Sequence, residues 1–230
     1  MVTVVPFQTW ARIKTSFTSN FRYGPLPLIA SEYKTRSKSV RLALVQFVAR
    51  DLVKHHADDD DGRIERVRFL LAALPESGDA VRRLLKRPNA PILKEIHFSL
   101  FCFLPEVTEV KAASAFIKRV PILVRNYLLH VRDDRALAAW MAADLIGDHW
   151  TKHAGLRVLT EVLDRGRFAP ARLAALHGIR VLFPRLTRAE QMMIRKALHR
   201  ATTGDASLTV RRGAAALLEQ LPALLIKARR

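Results

Sequence analysis

Three short segments of this chain repeat one pattern, and they constrain its fold more than any other feature. Arg135-Ala-Leu-Ala-Ala-Trp140, Arg172-Leu-Ala-Ala-Leu-His177 and Arg212-Gly-Ala-Ala-Ala-Leu217 each open with arginine and continue in small or aliphatic residues. The leading arginines lie 37 and then 40 residues apart. Small side chains let a helix press closely on its neighbour. Before each segment lies another stretch of helical period, at residues 122–131, 152–163 and 188–201. A helix pair of this length cannot bury its apolar face alone, so successive pairs must stack on one another.

Helical periodicity also runs through the first half, and no stretch alternates at period two. Residues 39–55 carry Val40, Leu42, Leu44, Val45, Phe47, Val48 and Leu52 on one stripe, with Arg41, Gln46 and Arg50 opposite. The acid run Asp58-Asp59-Asp60-Asp61-Gly62 interrupts this stripe. It lacks the spaced oxygen ligands of a calcium loop and reads as a solvated loop whose last Asp caps the next helix. Further helices are expected over residues 63–74, 79–86 and 91–103, punctuated by Pro75, Pro88 and Pro105.

A turn residue, an arginine and an Ala-rich second helix, repeated about every 40 residues, resemble the pattern of HEAT-type repeats. The resemblance covers residues 121–221. It implies an all-α fold: a right-handed α-solenoid of HEAT-like antiparallel helix pairs over residues 121–230, preceded by an irregular helical part, with divergent repeats, over residues 29–120. Residues 1–28 form a basic amphipathic segment that ends in the linker Tyr23-Gly24-Pro25-Leu26-Pro27. Phe7, Trp10, Phe17 and Phe21 fall at helical spacing there, among Arg12, Lys14 and Arg22, and no acid precedes Glu32. A mitochondrial transit segment and a first helix packed on the body share that pattern.

Charge restricts the partner. The formal net charge is +18, from 39 Lys and Arg against 21 Asp and Glu. Both ends carry the excess: residues 1–50 hold eight basic residues against Glu32, and residues 181–230 hold ten against Glu190, Asp205 and Glu219. Such a field attracts phosphate-bearing polymers or acidic protein surfaces. Arg172, Arg180, Arg188, Arg195, Lys196, Arg200, Arg211 and Arg212 are the candidate nucleic-acid contacts. The arginine leading each repeat either reaches a ligand phosphate or pairs with an acid or carbonyl in the turn between repeats. Aromatics able to stack on unpaired bases are few here, which favours recognition of shape and phosphate. A non-catalytic scaffold binding nucleic acid, DNA or RNA, or a ribonucleoprotein assembly is the leading expectation. A structural subunit docking acidic proteins or anionic headgroups is another.

One constellation has chemical potential. Trp140, Asp144 and Asp148 lie at i, i+4 and i+8 on one helical line, with His149, His153 and His177 near in sequence or in the next repeat. With Arg172 facing them, Trp140 and Asp144 resemble the grip of the HEAT-like alkylpurine DNA glycosylases. That resemblance implies that Trp140 and Arg172 hold a damaged nucleotide while Asp144 stabilises charge on its sugar. The simpler reading has Trp140 filling a repeat interface and Asp144 and Asp148 facing solvent or pairing with Lys152. His149 and His153 have the four-residue spacing of two metal ligands on one helix, but a helix start at Thr151 breaks that geometry and spacing fixes no third ligand. The expectation is no metal and no cofactor. Cys102, the single cysteine, reads as a small core residue between Phe101 and Phe103 and implies a reducing compartment, cytoplasm or mitochondrial matrix. No apolar run approaches the roughly 20 residues of a membrane span.

Overall fold

The computed structural model describes residues 36–55, 60–108, 110–150 and 153–227, with side chains placed up to residue 225. These residues form helices and the turns between them, with no strand among them. The amphipathic segment of residues 1–28 and part of the acid run, Asp58 and Asp59, lie outside the described residues. The chain divides into two compact units at Lys118/Arg119.

The first unit contains α1 (Lys38–Lys54), α2 (Asp60–Ala72), α3 (Gly78–Leu85), α4 (Lys94–Phe103) and the single turn α5 (Ser114–Ile117). The Ser37 hydroxyl accepts from the Val40 amide and caps α1, whose apolar stripe buries Leu44, Val45, Val48 and Leu52. Asp60 and Asp61 sit inside the first turn of α2, not in the loop ahead of it, where their charge opposes the partial positive charge of the helix start. α1 packs on α2 and α3, and α2 packs on α3 and α4. Their shared core includes Val67, Phe69, Leu70, Val81, Ile96, Leu100 and Phe101, all fully covered. Polar groups enter this core with partners. Arg63 donates to Ser99 and Asp60, Arg68 donates to Glu106, and His97 Nε2 lies 2.9 Å from the Leu84 carbonyl. Cys102 is half-buried, not fully enclosed, and burial pushes its thiol pKa up. It therefore stays protonated at neutral pH and is a poor nucleophile.

The second unit contains α6 (Val120–His130), α7 (Ala136–His149), α8 (His153–Arg165), α9 (Ala169–Leu182), α10 (Arg188–Gly204) and α11 (Leu208–Lys227). Pro121 and Pro170 occupy first-turn positions, where no amide hydrogen is needed. Thr187 and Glu190 close a reciprocal capping box at the start of α10. The packing follows two rows. α6, α8 and α10 touch in sequence along one row, α7, α9 and α11 along the other, and each helix also touches its partner across the rows.

Small residues set the α7–α9 distance. A Cβ added to Gly178 would stand 2.7 Å from the Ala143 carbonyl oxygen, and one on Gly147 would stand 2.7 Å from that of Gly178. Ala139, Ala142, Ala143, Ala174 and Ala175 are fully covered in the same row. The Ala-rich pattern of the sequence is the physical cause of this close approach. Contacts across the unit also recur at a regular chain separation. Arg125–Glu161 and Asp164–Arg200 span 36 residues, Asp148–Arg185 spans 37, and Asp144–His177 and Arg172–Asp205 span 33. Each pair links elements one helix pair apart.

Candidate functional site

Helix α7 positions one line of side chains. Trp140, Asp144 and Asp148 recur every fourth residue and therefore share a face. Beside them the Ala143/Gly178 seam brings α9 close enough for direct contact. The His177 ring stacks on Trp140 with centroids 3.9 Å apart and planes at 29°, and its Nε2 lies 2.7 Å from Asp144 Oδ1. One turn further, Arg185 donates to the carboxylate of Asp148 at 2.9 Å and to its carbonyl at 2.6 Å.

Two sequence expectations change here. Trp140 does not fill a repeat interface: it is 42% exposed, flanked by Leu137 at 62%. Arg172 does not face Trp140 and Asp144. Its Nε and Nη2 donate to the two carboxylate oxygens of Asp205, at 2.7 and 2.9 Å, and its Nη1 donates to the Gly166 carbonyl at 2.6 Å. The cause is its place in the first turn of α9, beside Gly166 and within reach of Asp205 ahead of α11. A bidentate carboxylate with a third bond to a carbonyl occupies the guanidinium fork. His177, five residues on, takes the position beside Asp144.

Trp140 and His177 open onto a depression of about 240 Å³ shared by α7, α9 and α11. Leu173, Leu176 and Leu217 form apolar lining, and Arg180 and Gln220 supply polar ends. Asp144 orients the His177 imidazole, as a carboxylate does in an acid–base pair. Among the described residues the lining includes no Ser, Thr or Cys for such a pair to activate. Elsewhere, His149 ends α7 and His153 begins α8, so one helix does not carry both. Among the described residues no three His, Cys, Asp or Glu side chains converge as metal ligands.

Comparison with known proteins supplies no relative. No family model, no curated protein and no solved structure matches the chain.

The remaining candidates separate by environment. Arg180, Arg188, Lys196 and Arg212 are exposed and make no ion pair among the described residues. Arg200 is exposed too but leans on Asp164 at 3.1 Å. Arg195 is half-buried, its guanidinium 5.8 Å from the centre of the Phe183 ring. Arg211 is half-buried and donates to the Asp205 carbonyl at 2.6 Å. Arg195 and Arg211 thus belong to the packing of their unit more than to its outer surface.

The acids of this unit are largely engaged. Residues 119–230 hold 20 Lys and Arg against nine Asp and Glu. Glu161 takes a two-point bond from Arg125, with Nε–Oε2 at 2.7 Å. That bond holds the Glu161 carboxyl below the usual carboxylate range and raises the Arg125 guanidinium in return. Asp144, Asp148, Asp164 and Asp205 have the partners given above, Asp134 contacts Arg135, and Glu190 closes its capping box. Asp133 and Glu219 are left to offset the outer cations.

Sequence reasoning missed His177 as the partner of both Trp140 and Asp144. The signal was present: each of Asp144, Asp148 and Asp164 lies 33 to 37 residues before a basic partner. Once the period of the helix pairs is known, that offset identifies its partner.

Proposed function

We propose that the protein is a non-catalytic helical-repeat module that binds a polyanion, foremost nucleic acid or a ribonucleoprotein. The observation that carries this reading is the set Arg180, Arg188, Lys196 and Arg212, exposed on α9, α10 and α11 without carboxylate partners among the described residues, in a unit whose acids are mostly consumed by other arginines. Uncompensated surface cations attract phosphate by releasing its condensed counterions, and the resulting affinity is salt-dependent and largely indifferent to sequence. The repeat reading rests on the two rows of helices and on the cross-links 33 to 37 residues apart, which are expected when equivalent positions of stacked pairs meet. A right-handed solenoid is what the HEAT-type resemblance adds.

The catalytic alternative has less support. A glycosylase-like grip needs an arginine beside Trp140 and Asp144, and Arg172 is held by Asp205 instead. The Trp140–His177 stack and Arg180 are better suited to holding a flat or anionic group at the edge of the binding surface.

The experiment is direct. The purified protein should carry nucleic acid at low salt and release it at high salt. It should then bind unrelated duplexes of equal length with affinities within about threefold of one another, as phosphate-dominated binding requires. Absence of binding at low salt to both duplex RNA and duplex DNA would remove this reading.

A further inference from the structure

The first unit holds a groove of about 770 Å³ lined by α1, α3 and, from the turn Pro91–Leu93, Ile92 and Leu93. Its floor is apolar, built from Ala49, Val53, Ala80, Leu84 and Leu93 with Ile92 at 37% exposure. Its rim is basic on both sides: Arg50 and Lys54 on α1, and Arg83, Lys86 and Arg87 on α3 and the turn after it. Among the described residues no carboxylate lines it. Of the acids nearest in sequence, Asp51 bonds to Arg66 at 2.7 Å, Asp79 to Arg82 at 2.8 Å and Glu76 to Arg41 at 3.0 Å, while Glu95 is exposed and is not among the lining residues. None of the five rim cations makes an ion pair among the described residues.

We propose that this groove binds an acidic amphipathic helix of a partner protein, its apolar stripe on the floor and its carboxylates against the two cationic rims. The spacing of the walls supports a helix. Gln46, Ala49, Arg50, Val53 and Lys54 fall at i, i+3, i+4, i+7 and i+8, and Ala80, Arg83, Leu84 and Arg87 at i, i+3, i+4 and i+7. Ridges of that spacing accept the ridges of another helix, and an apolar groove with charged edges is the form in which proteins receive one. Charge selects the occupant, since five cations with no carboxylate beside them among the described lining residues repel a basic helix and attract an acidic one. Residues 1–35 of this chain, with Arg12, Lys14, Arg22 and Lys34 against Glu32, carry the wrong sign. A nucleic acid would cover the rim but leave the apolar floor unfilled, and among the described residues the lining offers no aromatic ring for a base. A bilayer surface meets convex apolar faces, and this one is concave.

The test uses the full chain and a synthetic helix-forming peptide with Leu at every third or fourth position and Glu flanking that stripe. Binding is read by fluorescence anisotropy at physiological salt. The expected result is saturable binding. It should weaken at least about tenfold in an Arg83→Glu/Lys86→Glu/Arg87→Glu variant and again in Ile92→Asp, each checked for folding by circular dichroism. Ile92→Ser stands in if the aspartate variant does not fold. A peptide of the same composition with scrambled order should bind at least about tenfold more weakly. An Arg180→Glu/Arg212→Glu variant of the second unit should leave peptide affinity within about twofold, because neither residue lines the groove. The proposal is overturned if the scrambled peptide binds as well as the patterned one, or if Ile92 substitution has no effect. It is equally overturned if phosphatidylserine vesicles or an RNA duplex, not the peptide, show affinity that depends on Ile92.

Discussion

In the first unit, Arg63 and Arg68 are almost wholly buried and spend their hydrogen bonds on Ser99, Asp60 and Glu106. In the second, Arg135 is buried likewise, but Arg180, Arg188, Lys196 and Arg212 stand in solvent without acids. The first unit covers a core of large side chains, Phe69 and Phe101 among them, and its helices are tied by inserted polar groups. The second closes its main helix interface on alanine and glycine and is tied at the surface by ion pairs one helix pair apart. Where a core admits arginine, as at Arg63 and Arg68, its hydrogen bonds are spent inside. Yet both units leave other cations in solvent with no ion pair among the described residues: Arg50, Lys54, Arg83, Lys86 and Arg87 in the first, Arg180, Arg188, Lys196 and Arg212 in the second. High net charge alone therefore does not identify a binding surface. The proposed contacts are the cations that packing and ion pairing leave over among the described residues.

The sharpest way to break this contrast is to enlarge the small-residue seam. Gly178→Leu places a Cβ against the Ala143 carbonyl oxygen, an atom that cannot move without shifting α7. A stability loss of about 3 kcal/mol or more is expected in urea unfolding, at the upper end of overpacking costs. Gly204 has nothing within 4 Å of the same added atom, and Gly204→Ala should be nearly neutral. In the first unit, Arg68→Ala removes a buried cation from Glu106 and from the Phe103 ring, 5.5 Å away. Glu106 is partly solvated, so the expected cost is about 2 kcal/mol, below that of breaking a fully enclosed pair. Arg188→Ala in the second unit should cost nothing measurable. Equal losses at both arginines would erase the distinction between the units.

Trp140 tests the exposed face. A buried aromatic costs about 3–5 kcal/mol on truncation to alanine. At 42% exposure, with His177 covering part of it, Trp140→Ala should cost about 1 kcal/mol. A loss in the buried range would return Trp140 to the core.

The smallest effect concerns Glu161. Its bond from Arg125 depresses its pKa, so the stability that it contributes is present above the unfolded carboxyl value and is lost as pH falls through the lower folded value. Comparing wild type with Glu161→Gln, a difference of up to about 1 kcal/mol at neutral pH should vanish in acid below the ordinary carboxylate range. A difference that persists there would show that the carboxylate charge is not its source.

Much of this architecture was legible in the sequence, for a definite reason. A period of 3.6 with prolines at helix starts fixes element type, and the observed helices begin and end within a few residues of the sequence reading. The Ala-rich segments after Arg135 and Arg172 also marked the two helices that press most closely, α7 and α9. The sites were less legible. Spacing shows that Trp140 and Asp144 share a face, but not that His177 meets them, since that depends on how far α9 slides along α7. Arg172 is attached to Asp205, and Arg195 and Arg211 are half-buried, through interactions with side chains and carbonyls that lie beyond their own helices. The direction of an arginine is decided by such acceptors, whereas its place on a helix is decided by sequence.

The most direct test of the account is the salt dependence of nucleic-acid binding by the wild type and by an Arg180→Glu/Arg188→Glu/Lys196→Glu/Arg212→Glu variant. Affinity for one duplex should be measured over a range of salt concentrations. The account predicts weaker binding by the variant to unrelated duplexes alike. It also predicts a slope of log affinity against log salt that is shallower by roughly 0.9 for each phosphate that the variant no longer neutralises. An unchanged affinity and an unchanged slope in a correctly folded variant would contradict it.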